Sequence, residues 1–279
     1  MRAVRIGIDV GGTHTKAVAI DNNTMEIIGK ASVLTTHTHE RGVAKGVIEC
    51  FEQCLFANDI SPEEVIFIAH STTQATNAML EGDVAKVGII NMGGGGLGGF
   101  LARRQTDFDS IDLNNGKEVE IESRYFKLKN LTRDDIERTI NEFVEKGVRV
   151  VVASKAFGVD DPTEEEMVSE IATEHGLLTT SASEITKLYG MATRTKTAAL
   201  NASILPTMLD TANSTENSVR EAGITVPLMI MRGDGGVMEI AEMRKRPILT
   251  MLSGPAASVS GALMYLRASN AVFVEVGGT

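Results

Sequence analysis

The sequence predicts an α/β protein, and three observations carry that expectation. Short runs rich in β-branched residues alternate with amphipathic helical segments, the pattern of sheets flanked by helices. Near the start, one strand-like run ends in an acid followed by a Gly-Gly-Thr turn. The signature returns at the far end: Ile8-Asp9-Val10-Gly11-Gly12-Thr13 is echoed by Val274-Glu275-Val276-Gly277-Gly278-Thr279. An echo so widely spaced is no solenoid period. It implies two related halves, each opening on a strand–glycine turn–strand unit, the second interrupted where the sequence stops.

Taken in order, residues 3–10, 16–21 and 26–33 read as three strands joined by tight turns, a meander. Val43, Val47, Ile48, Phe51 and Leu55 then recur at helical spacing across residues 42–58. Residues 65–69 form a buried-strand pattern that runs into His70-Ser71-Thr72-Thr73 and a helix reaching Leu80. Another strand follows at 85–90. Residues 91–99 hold six glycines and precede an Asp/Asn-rich stretch at 108–117, which reads as a mobile loop or subdomain junction. Thr132 with Asp135 signals a helix N-terminus, with Ile136, Ile140, Phe143 and Val144 on one face and a stop at Gly147. A strand at 148–153 leads to a helix that starts at Asp161-Pro162 and stops at Gly176. A long helix over 187–209, a strand at 228–231, a helix at 256–266 and a strand at 271–276 complete the expected order.

Lys+Arg 27 against Asp+Glu 37 gives a formal net charge of −10, a balance that argues against nonspecific binding to a nucleic-acid backbone. It does not exclude an anionic ligand, because backbone N–H groups hold phosphate without cations. Cys50 and Cys54, four apart in a helical pattern, read as small core residues rather than a zinc site or disulfide framework. Their usage fits a reducing cytoplasm. No apolar run approaches the length of a membrane span, and Met1-Arg2 leads into a strand without a signal-peptide pattern.

The chemistry concentrates in a few glycine-rich turns. In Gly7-Ile8-Asp9-Val10-Gly11-Gly12-Thr13-His14-Thr15 a strand end delivers a carboxylate, and two glycines let the backbone approach a ligand with no Cβ in the way. Such a turn aims N–H groups at phosphate oxygens, while Asp9 holds magnesium directly or through water. Taken alone, the turn fits a plain β-hairpin equally well; the echo at Gly277-Gly278 favours the phosphate reading. Neither the dinucleotide fingerprint nor the Lys-containing P-loop is present, because the residues after the turn read as a strand.

His70-Ser71-Thr72-Thr73-Gln74-Ala75-Thr76-Asn77 follows a strand and opens a helix, whose N-terminus presents free N–H groups. Thr72 or Thr73 serves there either as a cap or as a ligand contact. Arg232-Gly233-Asp234-Gly235-Gly236 joins an acid to flexible backbone at another strand end. Ser253 and Gly254 precede Pro255 at a helix start, a second possible cradle for phosphate or substrate. His70 is the one histidine singled out as a functional group, whereas His37 and His39 read as surface residues. Glu164-Glu165-Glu166, in the first turn of a helix, reads as structural, and the Met-rich stretch over 229–251 as core packing.

An acid–glycine turn between two strands, used twice, resembles the superfamily of acetate and sugar kinases, heat-shock ATPases and actin, in which two similar domains clamp ATP between paired phosphate hairpins. The sequence further resembles the hydantoinase/oxoprolinase family, which includes ATP-dependent N-methylhydantoin and 5-oxoproline hydrolases and the acetone carboxylase β subunit. The matching stretches are GIDVGGTHTKAVAID from Gly7, HSTTQATNAMLEGDVAKVGII from His70, TAALNASILP from Thr197, MRGDGGVMEIAEMRKRPILTMLSGPAASVSGA from Met231 and VFVEVGGT from Val272.

That resemblance implies an actin-like ATPase fold, incomplete in this chain, and a polypeptide that continues well past Thr279. It implies a family N-terminal domain over 1–182 and the start of the main domain over 183–279. It implies ATP and Mg2+ as cofactors, and hydrolysis of a cyclic amide through phosphorylation of the amide oxygen. It also implies homo- or hetero-oligomers, with a second subunit of the hydantoinase B type.

The expected catalytic residues are Asp9, which also holds the metal, His70 and Asp234. Gly11, Gly12 and Thr13 with Gly277, Gly278 and Thr279 are assigned to the nucleotide. Thr72, Thr73, Asn77, Gly235, Gly236, Ser253 and Gly254 are assigned to the substrate. Three departures from the family pattern bear on the substrate: Lys16 where an acid is usual, Glu275 for Asp, and extra glycines over 92–100. The alternatives are a small-molecule kinase of the same superfamily and a non-catalytic regulatory ATPase.

Overall fold

A computed structural model describes residues 2–35, 44–267 and 270–274. Its elements, numbered in chain order, divide by contacts into two units, Met1–Thr76 with Met208–Thr279, and Asn77–Thr207.

The first unit is built on strands that alternate at period two. In β1 (Val4–Val10), Val4, Ile6, Ile8 and Val10 point into the core; in β2 (His14–Asp21), Thr15, Ala17 and Ala19 do. With β3 (Ile27–Leu34) they form the expected antiparallel meander. Helix α1 (Ala44–Phe56) packs on β2 and β3 and buries Val47, Cys50, Phe51 and Cys54. Both cysteines are core residues. Burial pushes the Cys50 thiol up to about 11, and its Sγ donates to the Thr15 carbonyl at 3.3 Å, so the pair is inert as nucleophiles.

β4 (Val65–Thr72) lies parallel beside β1 and leads into α2 (Gln74–Glu81), where the chain passes into the second unit. Among the described residues the first-unit sheet runs β11-β10-β4-β1-β2-β3, with β10 (Leu228–Met231) parallel to β4 and β11 (Val237–Glu239) closing a hairpin on β10.

The second unit holds a five-stranded sheet, β6-β7-β5-β8-β9. Its central strands β5 (Val87–Gly93) and β8 (Val150–Lys155) are buried along their whole length, as a parallel sheet covered on both faces requires. β7 (Glu118–Lys127) and β9 (Leu178–Ser181) run parallel to them, and β6 (Ser110–Asp112) is an antiparallel edge. Helices α3 (Gly96–Thr106), α4 (Arg133–Glu145) and α5 (Thr163–Glu174) are the crossovers. Thr132 caps α4, its side chain accepting from the Asp135 N–H at 3.2 Å. Ile136, Ile140 and Phe143 are buried beneath that helix, but Val144, expected on the same face, is 46% exposed. Gly88 lets the Phe143 ring lie on the sheet: a Cβ there would come within 2.4 Å of it.

Several expectations are corrected. The six-glycine run is not one long loop. β5 extends through Gly93 and α3 begins at Gly96, leaving a short connection, because helix–sheet packing at Gly93 and Gly99 uses the missing side chains. Strands β6, β7, β9 and β11 go beyond the expected order; alternating Glu118, Glu120 and Glu122 mask β7 as a polar stretch.

The long helix is α7 (Met191–Glu221), preceded by a short α6 (Ala182–Ile185), and it continues through Pro206 well past the expected end. A short α8 (Ile240–Met243) follows β11, and α9 (Ser253–Leu266) starts three residues before the expected position. The strand expected over 271–276 is absent from the described residues 270–274, where no partner strand pairs with the exposed Val272 and Val274. Glu275, Gly277, Gly278 and Thr279 of the expected second hairpin lie outside the described residues, as do His37 and His39.

Glu165, read only as a helix-start acid, is fully buried and accepts from the backbone N–H groups of Lys155 (2.8 Å) and Ser183 (2.9 Å). Phe143→Ala should lower stability by about 3–5 kcal/mol, against less than about 0.5 kcal/mol for Phe56→Ala on the surface, as read from urea midpoints.

Candidate active site

Three parallel strands bring together most of the motifs singled out in the sequence. Because β1, β4 and β10 run the same way, their carboxyl ends lie along one edge of the first-unit sheet. Four segments meet there: the Gly11–Gly12 turn after β1, Thr73 after β4, the hairpin after β10 and the start of α9.

Register sets the details. Asp9 lies beside Ser71, Ile8 beside His70 and Val10 beside Thr72. Neighbouring side chains at paired positions share a sheet face. Asp9, half-buried, accepts a 2.5 Å hydrogen bond from the Ser71 hydroxyl through Oδ1. Ser71 stands within the His70–Thr73 string but is not among the expected site residues, because only the parallel pairing sets it against Asp9. Lys16, exposed, is the register neighbour of Asp9 across the β1–β2 hairpin.

The turn itself is tight. Gly11 N–H donates to the His14 carbonyl at 3.1 Å, and a Cβ on Gly11 would lie 3.1 Å from that oxygen. Thr35, also absent from the expected set, braces it: its hydroxyl donates to the Gly11 carbonyl at 2.8 Å and its N–H to the Thr13 carbonyl at 2.9 Å. Thr13 is left exposed at the tip.

Both threonines make local contacts at the entry to α2. Thr72 Oγ1 accepts from the Gln74 N–H at the start of α2 (3.2 Å), and Thr73 Oγ1 donates to the Val10 carbonyl at 3.4 Å. Ser253, fully buried at the first turn of α9, donates to the Thr72 carbonyl at 3.0 Å and accepts from the Thr72 N–H at 3.4 Å. Leu252, just before it, is left-handed (φ 58°) and donates its N–H to Thr76 Oγ1 at 3.2 Å. A leucine held in that region is strained, and here the contacts of both neighbours hold it. Gly254 stands open: a Cβ placed there would meet nothing within 4 Å.

Asp234 organises its own hairpin. Oδ1 accepts the Gly236 N–H at 3.0 Å, Oδ2 pairs with Arg232, and Gly235 turns at φ +86°. A Cβ on Gly235 would come within 2.9 Å of Ser260 Oγ in α9, and one on Gly233 within 2.0 Å of the Met251 carbonyl. These glycines let α9 and the turn before it pack against the hairpin. Asn77 lies in α2 and belongs to the second unit.

His70 is the anomaly. It is 2% exposed, flanked in register by Ile8 and Ile230, and neither ring nitrogen has a hydrogen-bond partner. Burial pushes its pKa down to about 4, so the ring is neutral at physiological pH. Unpaired polar atoms at such depth cost about 1–3 kcal/mol, which an apolar residue would avoid.

Among the described residues, no group of three or more His, Cys, Asp or Glu side chains is placed to hold a metal, and no helix is long and apolar enough to cross a membrane.

Two family models match the chain: the hydantoinase/oxoprolinase N-terminal region over residues 5–176, and hydantoinase/oxoprolinase over residues 194–279. The acetophenone carboxylase gamma subunit of Aromatoleum aromaticum is 25% identical over 98% of this chain and 41% of its own length. Caprolactamase subunit alpha of Pseudomonas jessenii is 25% identical over 99% and 42%. The chain thus spans about two fifths of the curated relatives it matches.

Among solved structures, nucleotide-free acetone carboxylase, from work on ATP-dependent acetone carboxylation, aligns with a TM-score of 0.75 at 19% identity over 96% of this chain and 41% of that one. ATP-dependent caprolactamase from Pseudomonas jessenii aligns at 0.67 and 22% identity over 94% and 40%. The fold is the α/β, actin-like ATPase fold expected from the sequence.

Acid should weaken the protein through His70. The unfolded ring takes a proton near 6.5 and the folded ring only near about 4, so between these values the unfolded state binds more protons and stability falls as pH falls. Urea midpoints from about pH 7 to about pH 4.5 should decline, and His70→Leu should flatten that decline without loss at neutral pH.

Proposed function

The chain belongs to the hydantoinase/oxoprolinase family, and from that premise we propose that its first unit carries the phosphate-handling edge of an ATP-dependent enzyme that opens a cyclic amide such as a hydantoin or 5-oxoproline. The observation that carries this reading is the Asp9–Ser71 hydrogen bond at the mouth of the Gly11–Gly12 turn. It fixes a carboxylate beside a glycine turn whose backbone no side chain covers.

The donor set suits Mg-ATP. Magnesium keeps several waters and needs only one or two carboxylates when phosphates supply the rest, so Asp9 suffices without a closed metal cluster. Gly11 and Gly12 offer backbone without side chains, and Thr13 adds an exposed hydroxyl. Bound ATP would supply the phosphoryl group that converts an amide oxygen, a poor leaving group, into a good one. Gly277, Gly278 and Thr279 are assigned to the opposite hairpin of the same nucleotide site.

The protein's part is positioning and charge neutralisation. Asp9 would hold the metal, with Ser71 fixing one carboxylate oxygen. Ser253, Thr72 and Thr73 hold the α9 and α2 starts against the strand ends, so Gly254 and the Gly235-Gly236 turn face a substrate with fixed backbone. His70, neutral and buried between Ile8 and Ile230, packs the apolar face of the sheet rather than meeting a substrate. Asp234, engaged by Arg232, steadies its hairpin.

In family terms the chain divides into 1–182 and 183–279. Relatives named as gamma and alpha subunits support an oligomeric assembly, and the partner assigned to it is a second subunit of the hydantoinase B type. Free buried thiols are consistent with a cytoplasmic setting. The carboxylase relatives favour one second reading, ATP-dependent activation of a ketone for carboxylation, at the same phosphate edge.

The test is phosphate release by the purified native protein against hydantoins, lactams, and ketones with bicarbonate. Stimulation by a cyclic amide with a ring-opened product supports the first reading, and stimulation only by ketone with bicarbonate supports the second. Asp9→Asn should cut stimulated release about 100-fold or more with little change in substrate KM; undiminished release in that variant contradicts both.

A further inference from the structure

We propose that the second unit holds an anion site of its own, at the carboxyl edge of its parallel sheet, for a small organic ligand bearing a phosphate or carboxylate head. The topology gives the edge. From β5 the chain crosses through α3 to β7 on one side, then returns through α4 to β8 on the other. In open parallel sheets ligands bind outside the carboxyl ends of the strands, and the place in question lies off the ends of β5 and β7, one strand over from the β5–β8 reversal.

A cavity of about 260 Å³ opens at that edge, its lining including Gly94, Gly95, Phe100, Arg103, Tyr125 and Lys127. Arg103 and Lys127 reach it from different elements, α3 and β7, and neither forms an ion pair among the described residues. By contrast, Lys86, Arg124 and Lys146 around the same sheet are all neutralised by acids. Two exposed cations without an acid partner among the described residues make the cavity electropositive, which favours an anion there.

The backbone adds to them. α3 starts with no side-chain cap, and Gly96 enters it at φ +70°. Cβ atoms at Gly94, Gly95, Gly96 and Gly98 would meet nothing within 4 Å, so these amides are open to a ligand. Gly93 and Gly99 serve packing instead: added Cβ atoms would lie 2.4 Å from the Tyr125 hydroxyl and 2.0 Å from the Gly94 carbonyl. Tyr125 fixes the loop by donating to the Gly94 carbonyl at 3.2 Å.

Polar contacts join the elements that carry the lining. Register sets Gly93 beside Lys127 and Asn91 beside Tyr125, on one face. Asn91 is fully buried there, with Nδ2 bonded to Ser123 and the Thr106 carbonyl and Oδ1 left without a partner. These bonds tie β5 to β7 and to the end of α3, the helix that carries Arg103. Phe100, 61% exposed, gives the apolar part a wall.

The test is a heteronuclear NMR titration of the full 279-residue chain with inorganic phosphate in one arm and succinate in the other. Saturable shifts at the amides of Gly94, Gly95, Gly96 and Gly98 are expected, and the tighter arm identifies the head group. The double variant Arg103→Gln/Lys127→Gln changes two cationic side chains at the cavity wall and should weaken binding about tenfold or more, with the rest of the spectrum unmoved. Asp9→Asn should leave the titration unchanged, which separates this site from the proposed nucleotide edge. Absence of saturable shifts with both anions, equal affinity in the double variant, or loss of the shifts in Asp9→Asn would each overturn the proposal.

Discussion

Parallel pairing of β1 with β4, and of β4 with β10, is the constraint on which the first unit depends. It ends three strands at one edge and fixes which side chains share a face. The Asp9–Ser71 bond, Thr73 on the Val10 carbonyl and the Thr72–Ser253 pair all follow from one register. A slip by a single residue would turn Ser71 away from Asp9 and move His70 out of the apolar face. A hydrogen bond to a charged carboxylate contributes about 1.5–3 kcal/mol, modest beside the hydrophobic burial of Ile6, Ile8 and Ile68 that enforces the pairing. Burial sets the register, and the polar contacts then fall into place.

The second unit solves a different problem. Its sheet is covered on both faces, and its buried polar groups are grouped where strands end. Arg194, wholly buried on α7, donates to the carbonyls of Leu188 (2.7 Å), Tyr189 (3.2 Å) and Lys155 (2.6 Å), while Glu165 takes the N–H groups of Lys155 and Ser183. Lys155 in turn pairs with Asp161 and Glu164. These charges clamp the loop after β8, beside the edge where the glycine run follows β5.

Much of this was legible in the sequence, for identifiable reasons. The β1–β2 hairpin, α4 with its Thr132 cap and the buried β8 follow from period, cap chemistry and apolar runs, all local signals. The glycine turns and the His70-Ser71-Thr72-Thr73 string were marked as chemistry by residue type. Three things were not legible. β7 hides behind alternating glutamates that are half solvent-facing. Ser71, Thr35 and Thr76 gain meaning only from partners distant in sequence, as in the Leu252–Thr76 bond, which joins residues 176 apart. Glu165 and Arg194 look like surface charges until the fold buries them.

The central claim is that Mg-ATP is gripped at the edge where β1, β4 and β10 end. Hydrogen–deuterium exchange on the native protein, with and without Mg-ATP, reads that location directly. The account requires new protection at the Gly11–Gly12 turn and across Thr72 to Gln74. Protection confined to the second-unit glycine loop, with the β1–β2 turn exchanging as fast as before, would contradict it.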